Sequence, residues 1–168
     1  MDADVDFDEF VAARWVRLFR LAYLLTGEEP AAEDLLQTAM ERTFARWPKV
    51  TRMESPEAYV RRLMVNAVIS EHRGPTRRRE WLRAVLPEPT VDAEDGHVVD
   101  HLLLWPLVCV LPERQRAVIV LRYYEDLSES GAAEVLGCSV GTVKSQTHDA
   151  VRALRRGLDA MQREAVDG

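Results

Sequence analysis

Long apolar runs are missing from this 168-residue chain: none approaches the roughly 20 residues a membrane-spanning helix requires. No membrane insertion is expected. The opening stretch, MDADVDFDEF, has neither the positive leader nor the apolar core of a secretory signal. Cysteine is scarce. Cys109 and Cys138 show no CxxC or metal-ligand spacing and read as buried or turn thiols of a reducing, cytoplasmic compartment. Catalytic constellations are missing too. The histidines His72, His97, His101 and His148 are scattered, and only His97 and His101 have a metal-like i, i+4 spacing. Beside Asp95 and Asp100 that pair reads as solvated side chains. With no phosphate-cradling glycine loop and no nucleophile–base arrangement, the expectation is a protein that is not an enzyme and needs no cofactor and no metal.

Positive charge is the other scarcity, 22 Lys/Arg against 28 Asp/Glu for a net charge of −6. Its distribution is uneven. Residues 55–83 hold seven Lys/Arg and three Asp/Glu, whereas residues 84–101 hold five acids and no base. A generic polyanion binder would be basic throughout, so any contact with nucleic acid should be local. The 47% hydrophobic and 30% charged content is that of an ordinary globular chain, long enough for one domain or two small ones.

What is present is helical periodicity, with no strand-like alternation. Residues 7–25 align Phe7, Phe10, Val11, Trp15, Leu18, Phe19, Ala22 and Leu25, and Thr26-Gly27 ends the run. A second helix should start at Pro30, turn Ala32, Leu35, Leu36, Ala39, Thr43, Phe44 and Trp47 inward, and stop at Pro48. A third has Ser55 as cap and Pro56 in its first position. It carries Tyr59, Val60, Leu63, Met64, Ala67 and Val68, and closes at Gly74-Pro75. Two prolines, a glycine and five acids mark residues 84–101 as a linker between a first domain, 1–83, and a second, 102–168. The fold class expected is all-α: two small helical domains joined by an acidic linker, the second containing a helix-turn-helix.

The second domain opens with HLLLWPLVCVLP, apolar on nearly every face, and should kink at Pro106. Residues Leu102 to Val110 suit either a buried core helix or an exposed docking patch. Pro112 should open the next helix, with Val118, Leu121 and Tyr124 inward, and Ser128 should cap another. In EVLGCSVGTVKSQTHDAVRALRR, Gly137 suits a left-handed turn and Ser139 a cap. Small Ala133 and apolar Val143 fit two helices crossing steeply. The second of these helices would bury Val140, Val143, Thr147, Val151 and Leu154. It would present Thr142, Lys144, Ser145, Gln146, His148 and Arg152, side chains that suit base edges and phosphates. It is weakly cationic, so the isolated domain should bind DNA weakly. No long C-terminal extension for regulation in cis is expected after it.

The stretch LPERQRAVIVLRYYEDLSESGAAEVLGCSVGTVKSQ closely resembles the C-terminal domain of bacterial RNA polymerase sigma factors of the small, two-domain extracytoplasmic-function (ECF) group. The stretches DFDEFVAARWVRLFRLAYLLTG, AAEDLLQTAMERTFARW and SPEAYVRRLMVNAVIS resemble the first domain of that group, in its actinobacterial sigma-E-family type. The resemblance implies an alternative sigma factor that binds core RNA polymerase and directs promoter-specific initiation. The helix covering Ala32 to Trp47 would dock on the β′ clamp coiled coil, with Asp34, Leu35, Gln37, Thr38 and Glu41 at or near the contact. Leu35 suits core packing equally. The helix of Tyr59 to Ser70 and the loop after it would open and read the −10 element, with Asn66 against a base. Arg61, Arg62, Arg73, Arg77, Arg78 and Arg79 would track the backbone. Ser139, Thr142, Lys144, Ser145, Gln146, His148 and Arg152 would read the −35 element as duplex. The β flap of the polymerase is a further partner so implied, the linker would pass near the RNA exit path, and an anti-sigma factor is left open. Weak modules suffice in such a bridge, because tethering makes the second contact effectively intramolecular.

Four departures from the family pattern carry expectations of their own. Glu71-His72 and Gly74-Pro75 stand where relatives often carry aromatics, which predicts weaker melting or a different −10 sequence, with Trp81 a candidate substitute. Gly131 and Ala132 replace a polar helix former and a large aliphatic, which predicts a looser supporting helix, since Gly in a helix interior costs about 1 kcal/mol relative to Ala. Thr147 replaces an apolar residue, and LLLWPLVCVL is more apolar than its counterparts. These departures keep an alternative open: a degenerate sigma-like or helix-turn-helix binding protein that regulates without initiating transcription.

Overall fold

The computed structural model describes residues 6–71 and 98–167. Every regular element among them is helical, and the chain divides into two compact units, Met1–Glu71 and His72–Gly168.

In the first unit α1 (Phe7–Thr26) starts at Asp6, whose carboxylate accepts the Asp8 N–H at 3.4 Å. It ends at Gly27, where φ is 83°, a left-handed value that glycine adopts without steric cost. The helix α2 (Glu29–Phe44) holds Pro30 in its first turn. It stops earlier than its sequence suggests, and a short α3 (Trp47–Val50) takes Pro48 into its own first turn. Pro48 therefore opens a helix rather than closing one, because its missing N–H has no intrahelical acceptor there. Phe44, expected inward, is exposed and tilts against Phe7 at a ring distance of 5.0 Å. Trp47 lies 5.1 Å from both Phe7 and Phe10. The helix α4 (Pro56–Glu71) begins under Ser55, whose Oγ accepts the Ala58 N–H at 3.1 Å. The expected closure at Gly74-Pro75 lies outside the described residues.

These helices pack pairwise, α1 on α2 and α4 and α2 on α4, around Leu18, Leu21, Leu25, Leu36, Val60, Met64 and Val65. Trp15 lies at the margin of the α1 stripe and is exposed, whereas Leu21, absent from the sequence reading, is fully buried. Thr43 is buried because its hydroxyl donates to the Ala39 carbonyl at 2.7 Å, which satisfies the one polar atom it takes into the core.

In the second unit α5 (Val98–Cys109) starts inside the segment read as linker, so residues 98–101 are helical, and it continues through Pro106. Residues Leu104 to Val108 are half-buried, Cys109 is buried and Val110 is exposed, so the stretch is neither wholly core nor an open patch over that span. The side chains of Leu102 and Leu103 lie outside the described residues. Buried Arg116 donates through Nη1 to the Cys109 carbonyl at 3.0 Å, so a cation closes the negative end of α5. The helix α6 (Glu113–Ile119) follows Pro112 and runs into a π-helical turn, Val120–Tyr124, closed by the Glu125 N–H on the Val120 carbonyl at 3.0 Å. Val118 and Leu121 face inward as expected. Tyr124 does not, because the wider turn rotates it out to solvent.

Two more helices, α7 (Glu129–Leu136) and α8 (Val140–Asp167), complete the unit. Elements α5, α6 and α7 all pack on α8, with Val143 and Ala150 fully buried. Gly131 falls in the first turn of α7, not its interior, and gives its N–H to the Ser128 Oγ at 3.0 Å. A Cβ there would stand 3.2 Å from that Oγ, so the loosening expected from Gly131 does not apply. Helix α8 continues to Asp167, beyond the stretch ending at Arg156 in which the helix-turn-helix was read, and meets α5 at Gly157. There a Cβ would lie 2.6 Å from Leu107 Cδ2.

Candidate nucleic-acid interface

The corner between α7 and α8 is built by three residues. Gly137, with φ 64°, ends α7. The Cys138 N–H reaches back to the Ala133 carbonyl at 3.1 Å and the Gly137 N–H to the Glu134 carbonyl at 3.4 Å, the paired closure of a Schellman turn. Ser139 then caps α8, its Oγ accepting the Thr142 N–H at 3.1 Å. Ala132 and Ala133 are buried against the corner, and Val143 pins α8 back onto α7. This is helix-turn-helix geometry.

On the outer side of α8, Lys144, Ser145, His148 and Arg152 are exposed and Thr142 and Gln146 half-exposed. Lys144, His148 and Arg152 recur every fourth residue and so share one stripe. The Ser139 and Thr142 hydroxyls stand 2.9 Å apart, and Ser145 Oγ donates to the Thr142 carbonyl at 3.1 Å. The hydroxyls at the start of the helix are thereby oriented before any ligand arrives. Lys144 Nζ lies 3.7 Å from Glu129 Oε2 on α7. Sequence reading missed this acid and also exposed Asp149, to one side of the stripe. Val140, expected to be buried, is exposed, and Ala150 is buried instead, because the inner face runs through Val143 and Ala150, two turns apart. Thr147 is half-buried and donates to the Val143 carbonyl at 2.7 Å, which removes the objection to its place on that face.

In the first unit Asp34, Gln37, Thr38 and Glu41 line one exposed face of α2, while Leu35 is buried in the core. On α4, Arg62 and Asn66 are exposed at i, i+4 and Arg61 is half-buried. Arg73, Arg77, Arg78 and Arg79 lie outside the described residues. A cluster that the sequence did not disclose joins α1 to α4: Glu57 Oε2 is 3.3 Å from Arg14 Nε and its Oε1 is 2.9 Å from Arg17 Nε. Among the described residues no group of His, Cys, Asp or Glu is arranged to hold a metal ion, and no helix is long and apolar enough to cross a membrane.

A family model described as sigma-70 region 2 matches residues 12–79, and one described as sigma-70 region 4 matches residues 102–154. The RNA polymerase sigma-E factor of Streptomyces coelicolor is 39% identical over 171 residues, covering 96% of this chain and 90% of that protein. The ECF RNA polymerase sigma factor SigL of Mycobacterium tuberculosis is 32% identical, covering 92% and 88%. Among solved structures, the sigma factor RpoE in complex with the anti-sigma factor NepR, from Bartonella quintana, aligns with a TM-score of 0.67 at 24% identity. That alignment covers 92% of this chain and 98% of the other, and supports the fold alone. Two family matches in chain order, with relatives alike over nearly their whole length, lead to one conclusion: the chain belongs to the sigma-70 family, in its extracytoplasmic-function group of RNA polymerase sigma factors.

Proposed function

We propose that this chain is an alternative sigma factor that binds core RNA polymerase and directs it to promoters, reading the −10 element through residues 1–83 and the −35 element through residues 102–168, with residues 84–101 as the link. The observation that carries the reading is the pairing of the two family matches with a helix-turn-helix whose outer stripe is Lys144, His148 and Arg152. Ser139, Thr142, Ser145 and Gln146 supply hydrogen-bonding groups beside that stripe, and cations beside amides and hydroxyls are what duplex recognition uses. Asn66, exposed next to Arg62 on α4, is the residue for an unpaired −10 base, with Arg61, Arg73 and Arg77 along the strand. Exposed Asp34, Gln37, Thr38 and Glu41 are the polymerase-docking face, and Leu35 supports it from the core.

The net charge of −6 fits this role, since polymerase supplies most of the DNA affinity and each reader only selects. Catalysis belongs to the polymerase, the site of action is the cytoplasm, and the β flap is the second docking point. A relative of the same fold is held by an anti-sigma factor, and restraint of this chain by a protein of that class follows the same logic.

Run-off transcription with purified core polymerase and a pool of genomic promoters tests the reading. Wild type should start from a distinct promoter set, and Lys144→Ala and Asn66→Ala should each weaken it. Polymerase binding with no start sites would point instead to a degenerate, sequestering protein.

A further inference from the structure

Asp149 is the only acid of α8 between Val140 and Arg156. Thr142, Ser145, Asp149, Arg152 and Arg156 follow at i, i+3, i+7, i+10 and i+14, so they share a line along the side of the helix away from buried Val143 and Ala150. Asp149 is exposed, and among the described residues neither a hydrogen bond nor an ion pair engages its carboxylate, that of Arg152 one turn on included. Ser145, one turn before it, gives its hydroxyl proton to the Thr142 carbonyl at 3.1 Å. Lys144 turns toward Glu129 instead, at 3.7 Å. Thr142 to Asp149 covers about 10 Å of helix axis, which fits within a major groove about 12 Å wide. Arg152 and Arg156 lie about 4 and 10 Å farther along, where phosphates rim the groove.

A carboxylate set against phosphates is repelled, so Asp149 suits a bound duplex only where it meets a hydrogen-bond donor. A carboxylate accepts hydrogen bonds and donates none. The major groove offers two amino donors, cytosine N4 and adenine N6. Adenine sets its N7 acceptor beside N6, which opposes a carboxylate. Guanine shows the acceptors N7 and O6 there, and thymine shows O4 and a methyl group. Cytosine alone presents a donor without an adjoining acceptor. We propose that Asp149 is a specificity-determining residue of the reader helix, accepting a hydrogen bond from the N4 amino group of one cytosine, on either strand of the −35 element, and disfavouring the other three bases at that place. Asp149 lies outside the residues assigned above, and its role rests on the −35 reading made there.

The test is binding of the full chain, assembled with core polymerase, to a promoter library randomised in the −35 element, with the bound fraction sequenced. Wild type should favour cytosine at one position of one strand by about 5- to 30-fold, the lower part of the range for a base-edge pair. Asp149→Ala should lose that preference and keep the preferences at other positions. Asp149→Asn should move it to adenine, because an amide pairs with N6 and N7 together. Both substitutions change an exposed side chain, and thermal melting checks that the fold is kept. An unchanged pattern of preferences in Asp149→Ala overturns the assignment. Tighter binding of that variant to every sequence alike overturns it too, and would make Asp149 a source of repulsion from phosphates alone. A wild-type holoenzyme indifferent to the −35 sequence would instead sink the −35 reading itself, so the two failures are separable.

Discussion

The ammonium group of Lys144, on the outer face of the reader helix, stands 3.7 Å from the carboxylate of Glu129 in the first turn of the preceding helix. A helix N-terminus welcomes an acid, so Glu129 serves α7 locally, and on the proposed −35 reading it would compete with DNA for the lysine. Exposed pairs of this kind contribute about 0.2 to 1 kcal/mol. Glu129→Gln should therefore tighten binding of the holoenzyme to its −35 element by roughly 1.5- to 5-fold at low salt. The gain should vanish in a Lys144→Ala background. Filter binding across the four proteins of this cycle checks it, and an equal gain with and without Lys144 would mean that Glu129 acts by long-range repulsion alone.

Local chemistry made the corners of both units legible. Gly27, Ser55, Ser128, Gly137 and Ser139 each act where capping rules place them, because a cap is decided by three or four neighbouring residues. Faces were legible only to within part of a turn. Trp15, Phe44, Tyr124 and Val140 keep helical spacing with true core residues yet lie at the edge of the stripe, and tertiary packing alone decides such positions. The reader stripe followed from the inner face of α8, since the outer side is what remains. Its ion pair with Glu129 and the Glu57 cluster stayed hidden: the partners are 15, 40 and 43 residues apart in sequence, on different helices. Leu35, set by the resemblance at or near an interface and suited equally to core packing, is buried.

Gly137 carries the left-handed turn of the reader motif, with φ 64° and nothing within 4 Å of an added Cβ. Space is thus not the constraint; backbone strain is. Gly137→Ala should cost about 1 to 2 kcal/mol, the price of a left-handed L-residue. In a domain of this size the melting temperature should fall by about 4–8 °C per kcal/mol. Gly137→Asn should cost less, because Asn tolerates this region. Equal losses for the two variants would show that the turn is not the seat of the strain.

At Gly157 the constraint is space. An alanine Cβ would press on three atoms of Leu107, at 2.6, 3.2 and 3.4 Å. Alanine nonetheless favours a helix interior by about 1 kcal/mol over glycine. The two terms have opposite signs, and Leu107 decides between them. Gly157→Ala should raise the melting temperature more in a Leu107→Ala background than in the natural chain, where the contact with Leu107 offsets the helix gain. Equal changes in both backgrounds would place the origin of the effect away from the contact between α5 and α8.

Burial raises the Cys109 thiol to about 11, with the Arg116 cation drawing it partly back. In the unfolded chain a cysteine titrates near its ordinary value of about 8.5. Between that pH and about 11 the unfolded state has lost the proton that the folded state keeps, so stability must fall as pH rises through this window. Below it the two states bind the same proton and the term is silent. The unfolding free energy should therefore drop faster between pH 8.5 and pH 10.5 in the natural chain than in Cys109→Ala, by up to about 1.4 kcal/mol per pH unit, and thermal or denaturant melts across that range check it. Subtraction of the variant removes the contribution of every other group. Alkylation at pH 8, read by mass spectrometry, gives an independent check. Half-exposed Cys138 should be modified in the native protein, and buried Cys109 only in denaturant. Rapid native modification of Cys109 would mean that the end of α5 opens readily, and the cap that Arg116 places on the Cys109 carbonyl at 3.0 Å would then be too weak to hold the two helices together.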